Sequence, residues 1–223
     1  MANSKQNASA PVEETLNQSE AFFLKYKNVI MGCVLALVVI VAGVMLYKNY
    51  VSGPAELNAS TAIAKGQDYF SRQQFEFALN GDSTGYAGFA KIASEHSSTA
   101  AGNLANLYAG LCCANLDKWQ EAAQYLEKYD AADDQMVSPA ALGALGNVYA
   151  HLNDLDKAVS TLKKAADKAD NNSLSPTFLI QAGQILESQD KKDEALKLYQ
   201  QVKDKYFQSM QSQVIDEYIE RVK

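Results

Sequence analysis

Residues 29–47 read VIMGCVLALVVIVAGVMLY, nineteen positions in a row without a charge. At 1.5 Å of rise per residue this run forms a helix about 28 Å long, close to the roughly 30 Å hydrocarbon core of a bilayer. Eleven of its residues are Leu, Ile or Val. At about −0.3 to −0.6 kcal/mol each, they favour insertion by about 3 to 7 kcal/mol. The run opens at Val29 and closes at Tyr47, and Tyr26, Tyr47 and Tyr50 stand where the two interfaces would lie. A core helix of a globular domain rarely holds so long a stretch without a polar position, so the sequence predicts a transmembrane helix.

The flanks decide how that helix is used. A cleaved signal has a short basic start and an apolar stretch of about 7–15 residues. Here 28 mostly polar residues with three glutamates precede the run, and the run is longer. Ile30-Met31-Gly32-Cys33 faintly resembles a lipoprotein cleavage box, but it sits at the start of the apolar stretch instead of its end. The helix is therefore expected to stay attached. Lys25 and Lys27 precede it and Lys48 follows it. The positive-inside rule then puts the N-terminus in the cytoplasm and residues 48–223 across the membrane. The leader over 1–20, rich in Asn, Ser, Gln and Glu, reads as disordered.

From Val51 onward the chain carries 16 Lys/Arg against 23 Asp/Glu, and the whole chain has a formal charge of −6. Binding to nucleic acid needs a basic footprint, and this balance argues against it. Cys33, Cys112 and Cys113 lack metal-ligand spacing and read as small apolar residues. The four prolines, twelve glycines and many alanines suit an all-α protein.

Three segments beyond residue 102 superimpose: GLCCANLDKWQEAAQYL from Gly110, GNVYAHLNDLDKAVSTL from Gly146 and GQILESQDKKDEALKLY from Gly183. In each, an alanine follows the glycine by twelve residues (Ala122, Ala158, Ala195). A large apolar residue comes four later (Leu126, Leu162, Tyr199). Small residues at those places let two antiparallel helices approach closely, and the bulky residue is expected to fill space toward the next repeat. Asn153-Asp154 and Gln189-Asp190 read as the turns between the paired helices. Pro139 and Pro176 stand where a helix can open. A degenerate unit precedes these repeats, with one helix near 57–70 carrying Ala62, Gly66 and Tyr69, and another near 86–95. Between them FEFALNGDSTG reads as a long link with an Asn80-Gly81 turn. At the C-terminus Val214, Tyr218 and Val222, flanked by Ile215 and Ile219, form the apolar stripe of a terminal cap.

The register steps of 36 and 37 residues, with Leu142, Leu145, Gly146 and Tyr149 in the middle copy, resemble the tetratricopeptide repeat. The leading Trp of that pattern is absent, and Asp134, Asp170 and Phe207 replace its closing Pro. The predicted fold is all-α: one N-terminal transmembrane helix, then a tetratricopeptide-like solenoid of helical hairpins with a C-terminal capping helix. The parts are a polar leader (1–28), the transmembrane helix (29–47), a juxtamembrane linker (48–56), a degenerate repeat (57–102), three repeats (103–208) and the cap (209–223). In this order they resemble the bacterial membrane-anchored tetratricopeptide-like proteins related to the ancillary subunit of the SecYEG translocon. Over about residues 20–223 the chain looks most like the Bacteroidetes-type members, which carry the ALNGD and GNLA-x-x-Y-A-G stretches found at 78–82 and 102–110. The resemblance implies an inner-membrane protein with periplasmic repeats. Its implied partners are SecYEG channel subunits and a periplasmic chaperone or peptidyl-prolyl isomerase. An envelope-assembly or cell-division scaffold could use the same architecture with other partners.

No catalytic pattern accompanies the repeats. His96 and His151 have no Asp or Cys partner at a telling spacing, and phosphate-loop, dinucleotide and zincin motifs are missing. The reading is a non-enzymatic protein-binding scaffold with no cofactor and no evident small-molecule substrate. In the resembled family the first helix of each repeat lines the binding groove. The corresponding residues are Leu104, Leu107 and Leu111, then Asn147 and His151, then Thr177, Ile180 and Gln184. The leucine row equally suits packing against the degenerate first unit. The basic clamp that holds a C-terminal carboxylate in chaperone-binding repeats is absent: Asn147 alone matches it, and Gly143 stands where it needs a side chain.

Overall fold

The computed structural model describes residues 10–47, 50 and 53–223. It forms two compact units, residues 1–54 and 55–223. The first contains helix α1, Ala10–Tyr47. Within α1, the most apolar eighteen-residue window of Leu24–Tyr47 has a mean hydropathy of 3.0, and none of that window is buried inside the protein. A core helix of equal hydropathy would be covered by its own chain; this one offers apolar side chains all round, which suits lipid. Residues 10–20, expected to be disordered, are helical, while residues 1–9 lie outside the described part.

The second unit is all-helical among its described residues. Its elements are α2 (Gly53–Ser71), α3 (Phe75–Asn80), α4 (Phe89–Glu95), α5 (Ala100–Asn115), α6 (Trp119–Lys128), α7 (Val137–His151), α8 (Leu155–Ala169), α9 (Ser175–Ser188), α10 (Lys192–Lys205) and α11 (Ile215–Val222). The pairs α5/α6, α7/α8 and α9/α10 are the three repeats. Each first helix ends in the same way. Asp117, Asn153 and Asp190, seven residues after Gly110, Gly146 and Gly183, have φ of 58°, 60° and 59°. The N–H of the next residue then reaches back five positions at 2.9 Å: Lys118 to Cys113, Asp154 to Tyr149, Lys191 to Leu186. This is the left-handed closure of a helix C-terminus, and Asn and Asp tolerate it better than most side chains.

The glycines mark close approach. A Cβ on Gly110 would lie 2.6 Å from Leu126 Cγ, and one on Gly146 2.7 Å from Leu162 Cγ. A Cβ on Gly183 would meet the Tyr199 ring. The bulky residue therefore covers the glycine of its own hairpin and also belongs to the core shared with the following element, Leu162 with α9 and Tyr199 with α11. Ala122, Ala158 and Ala195 are fully buried beside these contacts.

The degenerate unit proves to be a fourth hairpin with a broken second helix. Ala78 follows Gly66 by twelve residues, Gln73 has φ of 60° seven after Gly66, and Gln74 N–H donates to Tyr69 O at 2.9 Å. The stretch read as a link thus contains helix α3, and α4 starts at Phe89 instead of near Tyr86. Asp82 stands where a bulky residue belongs, so Tyr86 and Phe89 cover Gly66 instead. Residues 81–88 are held by the Asp82 carboxylate. It accepts from the N–H groups of Thr84 (2.8 Å) and Tyr86 (2.9 Å) and from the Tyr69 hydroxyl, and pairs with Lys65 at 2.9 Å. These bonds hold its carboxyl well below the usual range. Gly81 and Gly88 have φ near +90°, and a Cβ on either would run into backbone.

Polar side chains cap the first helices of successive hairpins. Glu56 accepts from the N–H groups of Ala100 and Ala101 at the start of α5. Asp134 accepts from Met136, Val137 and Ser138 at the start of α7. Asn171 accepts from Ser173 and Leu174 ahead of α9. At the C-terminus, a 3-10 turn over Met210–Gln213 leads into α11. Ile215, Ile219 and Val222 are the buried side chains of α11. Tyr218 is half-buried and Val214 exposed, so the capping stripe is rotated from the predicted one.

Candidate protein-binding groove

The first helices of the three repeats carry almost no charge. No Asp, Glu, Lys or Arg occurs in α5 or α7, and α9 has only Glu187. Their partners are different: α8 and α10 alone hold Asp156, Lys157, Lys163, Lys164, Lys192, Asp193, Glu194 and Lys197. Glu187 is neutralised by the Arg221 guanidinium, with Nε and Nη2 each 2.8 Å from a carboxylate oxygen, and it accepts the Tyr199 hydroxyl as well. Arg221 holds Glu187 below the usual carboxylate range, and burial raises Tyr199. The face made by the first helices is thus electrically bland within an acidic domain.

Between α7 and α9 lies a groove of about 380 Å³. Asn147, Ala150 and His151 line it from α7, and Gln181, Gln184, Ile185 and Ser188 from α9. His151 is stacked on Trp119, the first residue of α6, with ring centroids 3.8 Å apart and planes within 3°. Gln181 Oε1 is buried and has no hydrogen-bond partner among the described residues. Between α2 and α5 a second hollow of about 320 Å³ is lined by Ser60, Ile63, Gln67 and Leu104, and Gln67 donates to the Tyr108 hydroxyl at 3.0 Å.

The structure brings Asn147, His151 and Gln184 of the expected residues into the α7–α9 groove and puts Leu104 in the α2–α5 hollow. Leu107 is 7 % exposed and belongs to the core that α5 shares with the first hairpin, against which Leu111 also packs. Ile180 is 8 % exposed and buried in the C-terminal core. Thr177 accepts from Gln211 at 2.9 Å. Beside Gly143, where a clamp side chain would stand, the Phe178 ring fills the space. Gln181 and Ile185 were not expected; they share one helical face with Gln184 and Ser188, a stripe visible in their spacing.

A larger hollow of about 430 Å³ lies between α4 and α6, where Ala90, Ala93 and Ser94 leave the short α4 thin. Burial pushes the free thiols of Cys112 and Cys113 up to about 12 and about 11, which makes them poor nucleophiles. Among the described residues, no cluster of three or more His, Cys, Asp or Glu could hold a metal ion.

A family model described as a tetratricopeptide repeat-like domain matches residues 20–216. No curated protein matches the chain.

Proposed function

The chain belongs to the tetratricopeptide repeat-like domain family, and from that premise we propose that it is a membrane-anchored scaffold whose first helices receive a segment of a partner protein. Domains of this kind are typically non-enzymatic interaction modules. The observation that carries the reading is the uncharged α7–α9 groove in a domain whose second helices are heavily charged.

The finer reading is an inner-membrane protein with its N-terminus in the cytoplasm and its repeats in the periplasm. There it associates with the SecYEG channel and a periplasmic chaperone or peptidyl-prolyl isomerase. Lys25 and Lys27 ahead of the span, against Lys48 behind it, support the orientation. The shared ALNGD and GNLA-x-x-Y-A-G stretches support the choice of partners. Crosslinking in native membranes followed by mass spectrometry tests it. Channel subunits and a periplasmic chaperone are expected; recovery of septal or outer-membrane assembly proteins in their place would move the scaffold to envelope assembly or cell division.

A further inference from the structure

Beyond residue 53, seven large apolar side chains are exposed, and six of them stand on one edge of the repeat domain: Leu57, Met136, Val137, Phe207, Met210 and Val214. The seventh, Phe77, lies in α3. This edge is where the links between hairpins run, beside the start of α2, and hydrogen bonds tie it together from end to end. Glu56 accepts from Ala100 and Ala101, the Asn103 side chain bonds Asp130 main chain, Asn171 donates to Gln135 O at 3.0 Å, and the Tyr206 hydroxyl donates to Asp170 at 3.2 Å. The opposite edge, made by the short turns within hairpins, carries Arg72, Asp117, Lys118, Asp154, Asp190 and Lys191 and none of the seven. Single exposed apolar residues are ordinary, but their concentration along one edge marks a surface that meets something apolar.

The chain itself says what is within reach. Leu57 comes ten residues after Tyr47, where the apolar span closes. Even fully extended, that stretch covers only about 35 Å, and it is shorter because α2 is helical from Gly53. The neighbours of the apolar side chains suit a headgroup layer: from Tyr206 to Val214 the link has no charged residue, and its polar members are Gln and Ser. We propose that this edge rests on the lipid surface, with Met136, Phe207 and Met210 entering the boundary between headgroups and acyl chains. The contact needs no anionic lipid, since Lys203 and Lys205 are paired with Asp216 and Asp170 and no basic cluster accompanies the apolar residues. This rests on the membrane-anchored reading above and adds a second membrane contact to it, made by the repeat domain.

The test places the full chain, one copy per disc, in nanodiscs of phosphatidylcholine and exposes it to hydroxyl radicals, with modified residues read by mass spectrometry. Phe77 is the internal standard: it is the same side chain off the edge, and at 52 % it is less exposed than Phe207 at 65 %. Phe207 should nevertheless be modified about threefold or more slowly than Phe77, because lipid covers it. A fluorophore attached through Met210→Cys in a Cys33→Ala background should be quenched by spin-labelled phosphatidylcholine, and one attached through Gln120→Cys should not. Modification of Phe207 as fast as that of Phe77, or equal quenching at the two positions, would overturn the inference. Protection that needs two chains per disc would give the edge to a second copy, and protection found only in native membranes would give it to a protein partner; either result also overturns it. If the chain enters the discs and Phe207 stays reactive, the anchor stands and only the edge contact falls. If the chain does not enter the discs, the anchored reading falls and takes the edge contact with it.

Discussion

At the scale of single residues, the glycines carry the sharpest consequences. A Cβ on Gly146 would lie 2.7 Å from Leu162 Cγ and 3.3 Å from Leu162 N, and neither atom is the free end of a side chain. Gly146→Ala should therefore lower stability by about 1–3 kcal/mol, and Gly146→Leu by at least as much. Leu162→Ala should cost about 2–5 kcal/mol on its own. Removing Leu162 makes room for the added methyl, so the double variant Gly146→Ala/Leu162→Ala should lose less than the sum, as melting temperatures would show. Asp82 gives a pH signature. Its folded carboxyl titrates below its value in the unfolded chain, and so does that of Asp134, held at about 2 by Ser138 and the α7 N–H groups. Their stabilisation is thus present above about pH 4 and is lost as pH falls toward the folded values. Asp82→Asn should lower the melting temperature at about pH 7 and flatten its decline between about pH 5 and pH 2, where a carboxylate no longer has to be protonated. An unchanged acid profile would remove Asp82 from the centre of that loop.

Elements show where sequence patterns succeed and where they stop. Gly110, Gly146 and Gly183, with their alanines twelve residues on, marked three hairpins because close helix approach tolerates little else at those places. The same spacing from Gly66 to Ala78 marks the fourth, but Asp82 in place of the bulky residue hides it. The helix break that lets Tyr86 and Phe89 cover Gly66 depends on contacts distant in sequence. Ile215, Ile219 and Val222 of the cap were visible as apolar positions, yet the rotation of α11 was not, since it follows from how the 3-10 turn delivers the chain. The groove was half legible. Repeat positions located Asn147, His151 and Gln184, while the burial of Leu107 and Ile180 depends on how the first hairpin and the cap close on α5 and α9. The cap carries a prediction at this scale. Ending the chain after Val214 removes the cover of Leu198, Tyr199 and Val202 and the Arg221 bonds to Glu187. The truncated protein should melt lower and bind a hydrophobic dye, because a solenoid end left apolar is neither stable nor soluble. A melting temperature and dye signal like those of the full chain would show that α11 is not a cap.

For the whole molecule, the account joins an anchor to a bland groove. The orientation predicts that a reporter active only outside the cytoplasm works when fused after Lys223; activity at the N-terminus alone would reverse the topology. Leu107→Ser is unsuitable for probing the groove, since it would damage the core as well. Asn147, His151 and Gln184 are partly exposed or exposed and can be changed together to alanine, with the loss of the His151–Trp119 stack checked by melting temperature. A competing arrangement has the transmembrane helix recognise the partner, with the repeats only a spacer. The measurement that separates the two is partner recovery from native membranes with two proteins in parallel: the triple alanine variant, and a chimera in which an unrelated single-span helix replaces residues 24–47. The account predicts that the triple variant loses the partner, about tenfold or more if these residues hold most of the binding energy, while the chimera keeps it. Retention by the triple variant together with loss by the chimera would contradict it.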